Sequence, residues 1–232
     1  MPPGLEAVIW DFNGTLIDDA EHIVRSVNVL LARRDLPLLN VASFRDVFGF
    51  PIVDYYRKIG FDLSAESMSD LSAEFHEVYV PGLSACPLHE GVVEALAAFR
   101  KAGVRQFILS ALEEALLRSA IDRLGITDFF EALYGLDHLE GDSKLARARS
   151  LLDDFDIPPD TAILIGDTDH DAEVAEALGV SAALVATGHQ SAHRLRAAGD
   201  AVYGSVREIA SDFTSAFAFS SEKTRVHEDA TT

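Results

Sequence analysis

The sequence predicts an α/β fold: a Rossmann-like, doubly wound parallel sheet with an all-helical domain inserted into it. Three observations carry this. From Gly91 onward, short apolar runs alternate with stretches of helical periodicity, the pattern of βαβ units joined by right-handed crossovers. Between Asp18 and Pro87 the periodicity is helical only, so a helical block interrupts the alternation. Finally, several of the apolar runs stop at an acid or a small polar residue, where open α/β sheets hold their ligands.

The elements follow in order. Ala7 to Trp10 is a short apolar run that ends at Asp11, before the turn Asn13-Gly14-Thr15, and reads as a buried strand. Ile23, Val27, Leu30 and Leu31 then recur at helical spacing, up to Pro37. Phe44, Val47 and Phe48 precede a break at Gly49-Phe50-Pro51, and a second helical stretch carries Val53, Tyr56 and Ile59 to Gly60. Ser64 to Tyr79 is the third amphipathic segment of the block, with Pro81-Gly82 and Pro87 expected to mark its exit.

Val92 to Lys101 reads as a helix, Val104 to Leu109 as a strand ending at Ser110, and Glu113 to Leu124 as a helix closed by Gly125. Ala132 to Tyr134 is a short strand followed by a loop through Gly141, and Ser143 to Phe155 a helix. Thr161 to Ile165 is the strongest strand of the chain and ends at Gly166-Asp167. Glu173 to Leu178 is helical, Ser181 to Val185 a strand, Val202-Tyr203 a small last strand and Val206 to Phe217 a last helix. The polar, aperiodic segment 220–232 is expected to be disordered. The domains are therefore expected at 1–17 with 88–219 for the core and 18–87 for the helical insert.

At 232 residues, 48% hydrophobic and 25% charged, the chain has ample material for a core. A formal charge of −19 argues against nucleic acid or an anionic membrane as a partner, and any anionic substrate needs a local cation. Cys86, the single cysteine, reads as a buried thiol. No membrane span or signal peptide is evident, so a cytoplasmic location is expected, as a monomer or homodimer.

The strand ends carry the chemistry. Asp167 and Asp171 lie four apart in Gly166-Asp167-Thr168-Asp169-His170-Asp171. If a helix begins near Thr168, Asp171 projects from its first turn toward Asp167. Three clustered carboxylates, with Asp11, repel one another and raise at least one pKa, a conflict that Mg²⁺ with oxygen ligands removes. Simple capping of a helix by Asp167 and Asp169 is the competing reading. Ser110 and Ala111, between a strand and a helix, offer a hydroxyl and free N–H groups for a phosphate oxygen; a plain N-cap serine fits equally. Lys144 can neutralise phosphate and acids, or be an ordinary surface lysine. His170 reads as a solvent-facing loop residue, and His189, after Thr187-Gly188, as a candidate substrate contact at the rim. The other histidines show no ligand spacing.

Together, Asp11-Phe12-Asn13-Gly14-Thr15-Leu16, Ser110, Lys144 and Gly166-Asp167-Xaa-Xaa-Xaa-Asp171 resemble the four ordered motifs of the haloacid dehalogenase superfamily. The helical insert resembles the cap of its phosphoglycolate-phosphatase-like branch, and the likeness spans residues 5–215. The resemblance implies a hydrolase in which Asp11 is the nucleophile and forms an aspartyl-phosphate. Mg²⁺ would be held by Asp11, the backbone carbonyl of Asn13 and Asp167, with Asp171 a ligand or an outer partner. Ser110, the Ala111 N–H and Lys144, helped by Gly14 and Thr15, would hold the phosphoryl oxygens of a small phosphorylated metabolite. The corner Phe48 to Pro51 would face the site.

One position departs from the family. Its phosphatases carry an acid two residues after the nucleophile, and this chain has Asn13, which cannot exchange a proton at neutral pH. General acid–base help is worth roughly 10²–10⁴ in rate, so a slow phosphatase of phosphoglycolate-like or sugar phosphates is expected. A protein that binds Mg²⁺ and a phosphorylated ligand as sensor or scaffold is the alternative. A dehalogenase or phosphonatase, the latter with Lys58 as the insert's only lysine, is the third.

Overall fold

The chain, described from a computed structural model over residues 2, 4–136, 144–199 and 201–215, is built on a six-stranded parallel sheet of order β3-β2-β1-β4-β5-β6. The strands are β1 (Ala7–Trp10), β2 (Arg105–Glu113), β3 (Ala132–Leu136), β4 (Ala162–Gly166), β5 (Ser181–Val185) and β6 (Val202–Tyr203). The expected tail, the loop at Gly141 to Ser143, the end of the last helix at Phe217, His138 and His227 lie outside the described residues.

Strand order reverses direction at β1. Residue Ala7 pairs with Arg105 on one side and Ala162 on the other, and Trp10 with Ile108 and Ile165. The crevice at such a switch point is where open α/β sheets bind ligands. Alternation along β1 serves two layers. Val8 and Trp10 pack with α5 (Val92–Lys101), α6 (Glu114–Leu124) and a last helical stretch, α10 (206–215). Ala7 and Ile9 pack on the other face with α7 (Lys144–Asp154) and α8 (Asp169–Leu178). The lone tryptophan, Trp10, is fully buried, and its Nε1 donates to Gln106 Oε1 at 3.1 Å.

Between β1 and α5 lie α1 (Ala20–Ala32), α2 (Val41–Val47), α3 (Ile52–Lys58) and α4 (Met68–Leu83), with no named strand among them. They form a hydrophobic cluster of their own around Leu30, Leu31, Phe44 and Leu71, all essentially sealed from solvent. Side chains so buried are each worth about 1.5–3 kcal/mol. Arg34 ties α1 to α4 by reaching Glu66 at 2.5 Å and Glu74 at 2.7 Å.

Several boundaries differ from the sequence reading. β2 runs to Glu113, so Ser110 sits inside the strand and Glu113, not a serine, caps α6. The pairing of β2 with β3 shifts register between Leu109 and Glu113, which lets the strand continue past the polar residue. α4 starts later than Ser64, at a Ser67 cap, and runs through Pro81 and Gly82 to Leu83. α8 starts four residues before Glu173. An additional helix, α9 (Ala192–Ala198), was not expected; it buries only Leu195 and so leaves no apolar stripe. Cys86 is buried as expected.

Candidate active site

The cluster begins where β1 and β4 stop. Asp11 follows β1, and its N–H donates to Ile165 O at 2.8 Å, so the two strand ends are in step. Asp167 follows β4. Asp171 lies in the first turn of α8, where its Oδ2 accepts from the N–H groups of Asp167 (3.2 Å) and Thr168 (3.0 Å) and from Thr168 Oγ1 (2.7 Å). The expected caps are not the ones used: Thr168 is the N-cap residue of α8 and Asp171 bonds the helix end, whereas Asp167 accepts from Thr15 and the His189 N–H and Asp169 from Gln190 and Arg194. Asp171 also faces the other acids. Glycine is required beside it, because a Cβ on Gly166 would lie 2.2 Å from Asp171 Cγ.

Carboxylate oxygens of Asp11, Asp167 and Asp171 lie within 4.8 Å of one another, all buried. Burial pushes the Asp11 carboxyl up to about 7; Lys144 opposes this, while Asp171 and Asp167 add to it. Burial likewise lifts Asp167 to about 6, with His189 opposing and Asp171 contributing. Asp171 goes the other way: burial acts upward, but Lys144 and the Thr168 hydrogen bonds outweigh it. Lys144 Nζ is the shared counter-ion, bonded to Asp11 Oδ1 and to Asp171 Oδ1 at 2.6 Å. It is buried rather than solvated, and one lysine against three acids leaves the cluster two negative charges in excess when all are ionised. Three hard oxygen donors with that excess suit a divalent cation.

Thr15 and Gly14 stand behind Asp167. Thr15 is buried, and its Oγ1 donates to Asp167 Oδ1 at 3.1 Å. Gly14 has φ +80°, and a Cβ there would meet Asp167 Oδ2 at 2.3 Å. Ser110 is buried and its Oγ accepts from Leu112 N at 3.1 Å. Ser110 and Ala111 line the same cavity as Asp11, Asn13, Lys144, Asp167 and Asp171, a chamber of about 1040 Å³ roofed by the helical block. Lys58 is exposed and does not line it.

A second network was not foreseen. Asn13 Nδ2 donates to Asp19 Oδ2 at 2.9 Å and to Tyr79 Oη at 2.8 Å, and Tyr79 Oη donates to the same Asp19 oxygen at 2.7 Å. The other Asp19 oxygen meets His189 Nε2 at 2.8 Å. His189 Nδ1 lies 3.3 Å from Asp167 Oδ2, so one imidazole bridges the two clusters. Burial acts to lower its pKa, but Asp167 and Asp19 outweigh it and raise it to about 9. Asp19 is held below its usual range despite burial, chiefly by His189. It occupies the N-cap position of α1 without making a side-chain cap bond. An acid there reads as an ordinary cap, which hid its inward role.

The loop after β5 fastens the helical block. Arg45 donates to Gly188 O (2.7 Å) and Thr187 O (2.5 Å), and Gln190 Nε2 to Phe48 O at 3.2 Å. Phe44 and Phe48 set their ring edges against His189 at 5.9 and 5.5 Å. His170 is partly exposed but lies against Phe50, with ring centroids 4.7 Å apart.

A family model described as Haloacid dehalogenase-like hydrolase matches residues 8–185. A phosphoglycolate phosphatase of Caulobacter vibrioides is 28% identical over 191 residues, covering 78% of this chain and 79% of its own. A 5′-nucleotidase of Pseudomonas aeruginosa is 28% identical over 193 residues, covering 82% and 86%. Among solved structures, a haloacid dehalogenase-like family hydrolase from Streptococcus pneumoniae superposes with a TM-score of 0.77 at 19% identity, covering 90% of this chain and 99% of that one. Among the described residues, no helix is long and apolar enough to cross a membrane.

Proposed function

The chain belongs to the haloacid dehalogenase-like hydrolases, and from that premise we propose that it is a Mg²⁺-dependent phosphate monoesterase working through Asp11. The observation that carries the proposal is the meeting of Asp11, Asp167, Asp171 and Lys144 at one wall of the chamber. The names of the phosphatase and nucleotidase relatives support the same reaction class.

Asp11, Asp167, Asp171 and the Asn13 carbonyl would hold Mg²⁺, which would supply charge neutralisation for the phosphoryl group. An Asp11 carboxylate oxygen attacks phosphorus while the bond to the leaving oxygen breaks. Lys144, Ser110 and the Ala111 N–H hold the phosphoryl oxygens in place. Water then attacks phosphorus, releasing inorganic phosphate and restoring the carboxylate. The leaving oxygen takes its proton from solvent and the attacking water gives one back to it, because the Asn13 amide can donate hydrogen bonds but carries no proton to transfer. Thr15 and Gly14 serve by seating Asp167. The reaction is correspondingly slow.

The test is hydrolysis of p-nitrophenyl phosphate and acetyl phosphate with Mg²⁺, by the wild type and by Asn13→Asp. The expected result is Mg²⁺-dependent turnover that rises at least tenfold in the variant, with phosphate on Asp11 of the wild type trappable by acid quench. Turnover with no label on Asp11 would sink the mechanism, and halide release from a 2-haloacid would replace it. Because Asn13-Gly14 is prone to deamidation, intact mass is checked alongside.

A second reading has one observation in its favour. Both Asn13 Nδ2 bonds go to Asp19 and Tyr79, leaving only an acceptor oxygen for a ligand. A protein that binds Mg²⁺ and a phosphate ester as a sensor fits that commitment. It predicts tight ester binding and no turnover from either protein.

A further inference from the structure

Half of the chamber wall comes from the helical block, and that half suits hydrocarbon. Phe48, Phe50, Ile52, Tyr55, Met68 and Phe75 line it. Phe48, Ile52, Met68 and Phe75 are only half-buried and Phe50 is exposed, so apolar surface has been left without protein to cover it. Among the described residues, the block contributes no Asp, Glu, Lys or Arg to this wall. The cations of the chamber, Lys144, Arg147 and His189, all lie outside the block, and Lys144 and His189 are each already shared between two acids.

These facts separate substrate classes. A carboxylate on the ligand beside its phosphate, as in a two-carbon phospho-acid, would face the block with no Lys or Arg to meet it, and an unpaired buried charge is costly. A hydrocarbon chain or ring is matched along the side formed by Phe48, Phe50, Ile52, Met68 and Phe75, and each methylene it buries there is worth about fourfold in affinity. At about 1040 Å³ the chamber sits at the upper end of the range for drug-sized ligands, far above what a leaving group of a few atoms needs. Polar groups of the block also reach the chamber, at Tyr56, Ser69, Ser72, His76 and Tyr79, and Tyr55 Oη is buried there without a hydrogen-bond partner.

Resting on the phosphate-monoesterase reading, we propose that the substrate is the phosphate ester of a large, uncharged, mostly apolar alcohol or phenol. Its hydrocarbon part lies among α3, α4 and the Phe48–Phe50 corner, and one polar atom of it meets the Tyr55 hydroxyl.

Calorimetry on the full chain with Mg²⁺ and n-alkylphosphonates from methyl to octyl reads this subsite without turnover. Affinity is expected to rise at least tenfold along the series, while phosphoglycolate binds no tighter than inorganic phosphate. Met68→Lys, at the half-buried start of α4, is expected to abolish the chain-length gain and leave inorganic phosphate within twofold. Ser72→Trp, which fills the chamber from the next turn, is expected to do the same by volume. Affinity independent of chain length, or phosphoglycolate or phosphocholine binding tighter than octylphosphonate, overturns the proposal. The neutral dye Prodan supplies a phosphate-free arm, its fluorescence rising with the wild type and not with Ser72→Trp. If the dye behaves so while no phosphonate or phosphate binds, the phosphoryl reading fails and the apolar chamber stands. If the dye responds equally to both proteins, the chamber proposal fails.

Discussion

Replacing Asn13 by aspartate does more than restore a missing acid, because Asp19 is already there. Asn13 Nδ2 lies 2.9 Å from Asp19 Oδ2, and a carboxylate oxygen put in its place would sit at about that distance from an ionised neighbour. At an effective dielectric of 20, two such charges repel by about 6 kcal/mol. Binding a proton instead costs about 4 kcal/mol at pH 7 for a group whose ordinary pKa is about 3.9. The smaller cost wins, so the new carboxyl is expected to be protonated at neutral pH, as a leaving oxygen requires. Its folded pKa is then raised above its unfolded value. The folded state holds a proton that the unfolded state releases, and stability falls as pH rises, by about 1.4 kcal/mol per unit above pH 4. In the metal-free protein, Asn13→Asp should therefore cost about 1.5 kcal/mol at pH 5 and about 4 kcal/mol at pH 7. Urea unfolding followed by Trp10 fluorescence measures this. Adding Asp19→Asn, which returns an amide to the pair, should recover at least about 2 kcal/mol of coupling. If Asn13→Asp matches the wild type at both pH values, or Asp19→Asn fails to rescue it, Asp19 does not hold the new carboxyl protonated.

Three further outcomes are expected. Mg²⁺ must displace protons from Asp11 and Asp167, raised to about 7 and about 6, so thermal stabilisation by saturating Mg²⁺ should be larger at pH 8 than at pH 5.5; an equal shift at both would deny these acids a part in binding. Lys144→Ala leaves buried acids without their cation, and should cost about 3–5 kcal/mol at pH 8 in chemical denaturation, less at pH 5, together with inorganic phosphate binding by calorimetry. Gly14→Ala forces a Cβ onto Asp167 at positive φ, so Mg²⁺ affinity should fall at least tenfold; unchanged affinity would show that the loop yields cheaply.

The parts of the fold legible in the sequence are those where one local signal suffices. Ser181–Val185 was read to the residue, because a short apolar run stands between Gly179 and Thr187-Gly188. Asp11, Asp167, Asp171 and Lys144 were legible because each follows a strand or opens a helix in a recognisable order. What stayed hidden depends on contacts across the chain. Tyr79 lies mid-helix at a position that reads as core, and Asp19 looks like a cap. Only the approach of α4 and the loop after β5 turns them, with His189, into a network around Asn13. The end of β2 was misplaced for a similar reason: its continuation past Ser110 depends on pairing with β3, which Ser110 itself does not announce.

The pairing of β1 with β4 has a kinetic consequence. Ala7 and Ala162 are neighbours in the sheet but far apart in the chain, so Asp11 stays solvated until the insert and two further βα units have been made. The repulsion among the acids therefore arises only when β4 docks, a long-range closure of the slow kind. If that docking belongs to the rate-limiting step, Mg²⁺ should steepen refolding rather than slow unfolding, and chevrons in chelator and in Mg²⁺ would part on the folding limb. A cation bound at the strand ends would then help the sheet to close as well as serve the site.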